Sequence, residues 1–427
     1  MNEPRHSCDI LVIGAGPAGL AAACRAARGG KRVTIIDDNP GPGGQIWRRD
    51  QRKQTASPAA AWLREARDSG VELIYGANVF DQPERGLAVA ETREGVREID
   101  YRQLILATGA RERLLPFPGW TLPNICGAGG LQALVKSGLS IEGKRVVIAG
   151  SGPLLLAVAA YLRKMGAQIP LIAEQAPWNR LLGFGLRLLG SPAKAAQAAG
   201  LRGRLAGVPY LTGCWVTSAE GDEKLENVKL RHGSQMLDVD CDYLACGFHL
   251  VPNIELASLL GCELAEGGVL VNQFQESSLA GIYCAGETTG IGGLELSLVE
   301  GEIAGYAAAG LHHEAARMFG SRRRLRKFSD LLNRTFALRD ELRSSPRPDT
   351  LICRCEDVSF ERVSKQSGWR AAKLNTRCGM GPCQGRVCGP AIEFLLGWRF
   401  ESVRPPVSPV RLASLAQTAE LGEADRY

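Results

Sequence analysis

Five cysteines crowd the C-terminal part of the sequence as Cys353-Arg354-Cys355, Cys378 and Cys383-Gln384-Gly385-Arg386-Val387-Cys388, downstream of two separate glycine-rich fingerprints. Clustered thiolates hold metal, and glycine-rich turns between strand and helix hold nucleotide phosphates. A [2Fe-2S] cluster accepts one electron at a time, whereas a flavin takes two and releases them singly. The pairing predicts a chain that splits electron pairs.

One residue separates Cys353 from Cys355 and four separate Cys383 from Cys388, so each pair can close on one side of a cluster while Gly379, Gly381, Gly385 and Gly389 permit the bend. Backbone amides in such loops hydrogen-bond the sulfurs and raise the reduction potential. Arg354, Arg377 and Arg386 are placed to offset the thiolate charge. Cys378 stands at the same gap from Cys383 and competes for one ligand position. Zinc suits four thiolates equally, but a one-residue gap is tighter than the usual zinc knuckle and favours iron–sulfur.

The segment Asp9-Ile-Leu-Val-Ile-Gly14-Ala-Gly16-Pro17-Ala18-Gly19 is an apolar β-rich run turning through glycines into a helix over Leu20–Arg28. Gly14 allows the tight turn, Gly16 lets backbone approach a pyrophosphate, and Gly19 lets the helix pack against the strand. A second strand reaches Asp37 and Asp38, 23 residues after Gly14 in the case of Asp37, where an acid binds an adenosine ribose or simply caps a loop. Gly41-Pro-Gly-Gly44-Gln45-Ile46-Trp47 is a second flexible turn, suited to laying backbone and an aromatic edge along a large cofactor. Together these point to FAD.

Two distant strands that end in small residues, Leu104–Gly109 and Gly281–Glu287, complete a resemblance to the two-dinucleotide-domain flavoproteins. The resemblance implies an α/β fold, Rossmann-like and disulfide-reductase-like. It places cofactor contacts at Gly14, Gly16, Pro17, Ala18, Gly19, Asp37, Asp38, Gly44, Gln45, Val79, Ala107, Thr108, Gly109, Gly286 and Glu287. In that superfamily the last position is usually Asp, and Glu287 is one methylene longer.

Arg145–Gly150-Ser-Gly152-Pro-Leu-Leu155 opens a second Rossmann unit, with Leu155 at the third glycine's position and Glu174 ending the next strand. Leu155 should push the helix away or narrow the phosphate turn, which leaves an altered or empty pocket and a real NAD(P) site both open. If a nicotinamide binds, Glu174 favours the unphosphorylated ribose. Residues 178–207 read as helical and poor in carboxylates, either a packed helical pair or a partner-facing insertion. Cys126 stands alone beside this unit, so a dithiol relay is not expected, and Cys8, Cys24, Cys214, Cys241, Cys246, Cys262 and Cys284 read as buried residues.

The elements that carry these sites need a large core, which 427 residues at 45% hydrophobic composition with 51 glycines supply. A net charge of +6, with 51 basic and 45 acidic residues interspersed, does not indicate a nucleic-acid partner. The first apolar run is broken by glycines and no later run is long enough to span a bilayer, so the thirteen cysteines predict a reducing, cytoplasmic setting, with peripheral contact at the inner membrane as an option. Ser321–Leu342 is a basic amphipathic helix closed by Pro346 and Pro348, read as a solvated connector.

Ile352-Cys-Arg-Cys-Glu-Asp-Val, with Thr376-Arg-Cys-Gly-Met-Gly-Pro-Cys-Gln-Gly-Arg-Val-Cys-Gly, resembles the bacterioferritin-associated-ferredoxin (BFD) type of [2Fe-2S] domain. With the flavoprotein body ahead of it, nearly the whole chain resembles the FAD-containing α subunits of multisubunit opine oxidases, hydroxyproline or proline dehydrogenases and hydrogen cyanide synthase. That resemblance implies cluster ligands at Cys353, Cys355, Cys383 and Cys388, with Cys378 extra. It also implies an amine-oxidising, FAD-containing β subunit, with a small γ subunit in some complexes, FMN at a subunit interface, and a quinone or redox protein as acceptor. The expected domains are an FAD domain over 1–115 and 270–320, an inserted nucleotide-binding domain over 116–269, a basic linker over 321–348, a BFD-like [2Fe-2S] domain over 349–402 and a tail over 403–427.

Overall fold

Ile10–Ile13 is apolar at every position, so the strand that carries it must be covered on both faces, as in a parallel sheet. In the computed structural model, which describes residues 6–47, 59–188, 190–265, 267–400 and 403–424, His6–Ile13 lies between the parallel strands Val33–Asp37 and Val96–Leu106. Glu72–Tyr75 extends one side and Ile282–Cys284 the other, again in parallel. Val96–Leu106 is long enough to serve both the parallel and the antiparallel part of one seven-stranded sheet. Its C-terminal half completes the parallel layer, and its N-terminal half pairs antiparallel with Leu87–Glu91, which pairs in turn with Asn78–Glu84.

Helices Pro17–Arg28 and Leu294–Ala308 close over this sheet from opposite ends of the sequence. A Cβ on Gly301 would stand 2.2 Å from the Ala18 carbonyl oxygen, and one on Gly305 2.1 Å from that of Ala22. Only glycine lets the two backbones approach so closely, and the small residues beneath them form the core with Val12, Leu20 and Ile35.

The inserted domain has five parallel strands in the order Tyr210–Thr212, Ile172–Glu174, Val146–Ser151, Tyr243–Phe248, Ile125–Gly127, and an antiparallel trio Cys214–Glu220, Asn227–His232, Gln235–Asp240. Leu155 does not push its helix away. Its side chain is fully buried, with Cδ2 3.0 Å from where a Cβ on Gly247 would sit, so a glycine on the neighbouring strand makes the room. The two domains are joined by the antiparallel pair Ala110–Glu112 and Leu250–Pro252. Helices Trp178–Leu188 and Pro192–Arg204 lie on the surface, with no buried residue among those described.

Helix Phe319–Thr335 leads to a small domain with its own core, built from Leu351–Cys353 paired with Val358–Ser359 and helices Phe360–Ser364, Trp369–Thr376 and Cys388–Leu396. The chain then returns to the first domain, where Val407 N donates to Phe80 O at 2.9 Å and Arg411 N to Glu91 Oε1 at 3.0 Å. No helix among the described residues is long and apolar enough to cross a membrane.

Candidate functional site

The phosphate turn follows from three glycines with three different reasons. Gly14 has φ +109° and a Cβ there would strike Ala107 O at 2.3 Å; a Cβ on Gly19 would strike Gly14 O at 1.8 Å. Both are demanded by the protein's own packing. Gly16 is different: a Cβ there would meet nothing within 4 Å. The space in front of Gly16 is thus open at a helix N-terminus, the place and polarity a pyrophosphate requires, and Pro17 opens that helix with no N–H to leave unpaired.

Asp37 is buried, and its carboxylate accepts from Ala15 N and, at 2.8 Å, from Asn39 N, so it braces the turn, while Asp38 beside it is exposed. Gly44, at φ +57°, would carry a Cβ 3.1 Å from Gly16 Cα, which lays the second loop against the phosphate turn. Gln45 on that loop is exposed, whereas Trp47 is packed into the core. Val79 sits in the core of the antiparallel extension.

Gly286 and Glu287 close the site from the C-terminal half. The extra methylene of Glu287 carries its carboxylate back to Gly292 N (3.1 Å) and Gly293 N (2.8 Å), and burial raises its pKa against those two bonds. Glu300, fully buried, accepts from Gly286 N at 3.2 Å and Thr289 Oγ1 at 3.0 Å and is ion-paired with Arg322 and Arg326. The basic helix is therefore no solvated connector at these positions: two of its arginines turn inward to clamp the turn after Gly286.

The sulfurs gather at one place. Sγ atoms of Cys353, Cys378 and Cys388 lie within 4.8 Å of one another and all three residues are buried, while Cys355 is exposed beside Cys383. Hydrogen bonds from Cys378 and Cys388 pull the Cys353 thiol down to about 2, and the bond to Cys353 pushes Cys378 up to about 12. Backbone amides of Gly379 and Glu356 also reach Cys353, and that of Cys383 reaches Cys355. A Cβ on Gly381 would stand 2.2 Å from Cys355 Cβ, and one on Gly385 or Gly389 would strike Phe400, so the glycines serve packing as well as bending. The arginines are otherwise engaged: Arg354 lies over Trp120, Arg377 pairs with Glu356 at 2.7 Å, and Arg386 reaches Val407 O.

One side chain ties the two sites together. Thr108 Oγ1 donates to Asn253 O at 2.6 Å, Arg111 Nη1 donates to Asn253 Oδ1 at 2.7 Å, and Arg111 Nε donates to the Arg386 carbonyl, in the loop between Cys383 and Cys388, at 3.1 Å. Glu255 neutralises Arg111 at 2.8 Å.

Residues 8–311 match the family model described as pyridine nucleotide-disulphide oxidoreductase. The chain belongs to that family. It is 32% identical to the A component of opine oxidase from Rhizobium meliloti, over 99% of this chain and 90% of that one, and 32% identical to hydrogen cyanide synthase subunit HcnB of Pseudomonas aeruginosa, over 88% and 90%. These cover nearly the whole chain, so this oxidoreductase is grouped with the opine oxidase and hydrogen cyanide synthase subunits. The L-proline dehydrogenase of P. horikoshii shares the fold at a TM-score of 0.68 and 18% identity, over 97% of this chain and 81% of that one. The α/β two-dinucleotide architecture with a small C-terminal domain is as the sequence predicts.

In this oxidoreductase the second phosphate turn is covered by its own chain. Ser151 Oγ donates to Phe336 O at 2.7 Å, Gln175 Nε2 lies 3.3 Å from Ala337 O, and Arg339 N donates to Gln175 Oε1 at 3.0 Å. The Phe336 ring is 3.9 Å from where a Cβ on Gly152 would point. Glu174 has no exposed surface and accepts from Gly152 N and Ala176 N, each at 2.8 Å. Sequence reasoning missed Phe336, Glu300 and Arg111. Each acts across a long sequence separation with no local pattern to announce it.

Proposed function

We propose that this chain is the electron-transferring α subunit of a heteromeric amino-acid or opine dehydrogenase, holding FAD at the first dinucleotide fold and a [2Fe-2S] cluster through Cys353, Cys355, Cys383 and Cys388. The observation that carries the reading is the Arg111 bridge, which fixes the cysteine loop against the strand end at Thr108. Such a contact would hold the cysteine loop against the flavin fold, as electron transfer between the two requires.

The residues divide the work. Gly16 leaves room for a pyrophosphate at the turn that Gly14 and Gly19 shape, and Glu300 with its two arginines keeps the Gly286 turn in place. When bound, the flavin would supply two-electron capacity and the cluster one-electron steps. Among the described residues at the turn, Glu287 is spent on two amides and does not stand as a free general base. Substrate oxidation therefore belongs to a partner: an amine-oxidising β subunit that takes a secondary amine such as an opine, hydroxyproline or proline, with electrons passing to a quinone or redox protein and FMN between subunits. The named relatives, subunits themselves, support this. The covered second fold speaks against direct reduction by a nicotinamide.

Anaerobic stopped-flow absorption tests the proposal. Bleaching of the flavin only after addition of the β subunit with its amine substrate is expected; rapid bleaching by NADH alone would replace it with a self-contained reductase.

A further inference from the structure

We propose that the helix Trp178–Leu188 seats this protein on an anionic lipid surface. Trp178, Leu182 and Leu186 follow at intervals of four, so they share one face, and they are 66%, 54% and 63% exposed. The helix is held from another side, where Phe184 meets Phe328 and Phe336 with ring centroids 6.3 and 5.7 Å away. The apolar stripe is therefore neither a folding accident nor part of the core: it is presented outward by an element anchored behind it.

Charge decides what the stripe fits. From Glu174 to Glu220 the sequence contains no aspartate or glutamate between the two ends, but it has Arg180, Arg187, Lys194, Arg202 and Arg204. Lys194 meets Glu295 at 2.7 Å, a carboxylate from outside the stretch, and it alone of the five has such a partner among the described residues. A stripe of tryptophan and leucine beside cations, with carboxylates missing throughout, matches the interfacial amphipathic helix that lies in a headgroup layer and is drawn there by anionic lipid. The inference stands on these exposed residues and not on the electron-transfer reading.

The test uses the purified full-length protein and vesicles of phosphatidylglycerol mixed with phosphatidylcholine, against vesicles of phosphatidylcholine alone, read by co-sedimentation. Binding to the anionic vesicles is expected, weakening as salt screens the headgroups. Replacing Trp178, Leu182 and Leu186 together by Ala should cut the bound fraction roughly tenfold, and Arg187→Gln with Arg204→Gln should remove the preference for anionic lipid. Unchanged visible absorption and thermal midpoint confirm that the variants are folded. Equal binding to both vesicle types, no binding to either, or an alanine variant that binds like its parent would each overturn the proposal. If the parent ignores vesicles and the alanine variant fails to assemble with an amine-oxidising subunit, the face is a protein interface instead.

Discussion

Arg111 Nε donates to the main-chain carbonyl of Arg386 at 3.1 Å, joining the strand pair between the two nucleotide domains to the loop that carries Cys383 and Cys388. The same guanidinium is held by Asn253 and Glu255, so the contact is braced rather than incidental. Arg111→Ala should leave flavin and cluster absorption intact but slow charge equilibration between them about tenfold, as loss of such a positioning group does. Freeze-quench paramagnetic resonance after rapid photoreduction measures this, and Arg111→Lys should restore only part of the rate because its single nitrogen cannot span both the Asn253 amide and the Arg386 carbonyl as the guanidinium fork does.

Gly16 and Gly19 should separate binding from folding. Gly16→Ala adds a methyl where no protein atom lies within 4 Å, so the fold should hold while flavin content drops; Gly19→Ala drives a carbon to 1.8 Å from a carbonyl and should lower the thermal midpoint and soluble yield. Absorbance at the flavin band together with calorimetry distinguishes the two outcomes.

Removing the carboxylate at Glu300 leaves Arg322 and Arg326 facing one another without a counter-charge. Glu300→Ala should cost about 3 kcal/mol in urea unfolding, and adding Arg326→Ala should recover part of that loss. If the single variant is as stable as the parent, the clamp has been misread.

Burial raises Glu174 to about 7 from its ordinary value of 4.5. The native state then holds a proton that the unfolded chain has released, so between these pH values stability falls as pH rises, by about 3 kcal/mol in total. Glu174→Gln should flatten that part of the profile, seen as similar urea midpoints at pH 5 and pH 8.

Five sulfurs stand where four are needed. Cys383→Ser should abolish bound iron and keep the yellow flavin, whereas Cys378→Ser should keep both; iron analysis that finds the metal gone from the Cys378 variant would move a ligand role to that residue, which lies in the tight group with Cys353 and Cys388.

Legibility in the sequence followed range. The turn Gly14–Gly19 and its acid at Asp37 are encoded within one strand-turn-helix-strand unit, where spacing alone fixes geometry. The cysteine pairs are equally local. Glu300 reads as one more carboxylate on a helix of mixed polarity, and nothing in its neighbourhood announces arginines that arrive from another helix. Ser151 and Phe336 meet across 185 residues through a main-chain carbonyl, a group every residue owns, so no side-chain pattern marks the cover over the second fold. Leu155 pointed the wrong way because its accommodation depends on Gly247, a strand away.

The closeness of Gly301 and Gly305 to Ala18 and Ala22 sets an order of events during synthesis. The N-terminal helix, half of the cradle, leaves the ribosome first, and the other half is still untranslated until most of the chain has followed. Cofactor capture is therefore a late step in the life of each molecule, and a truncated product ending before that helix would emerge without its prosthetic group.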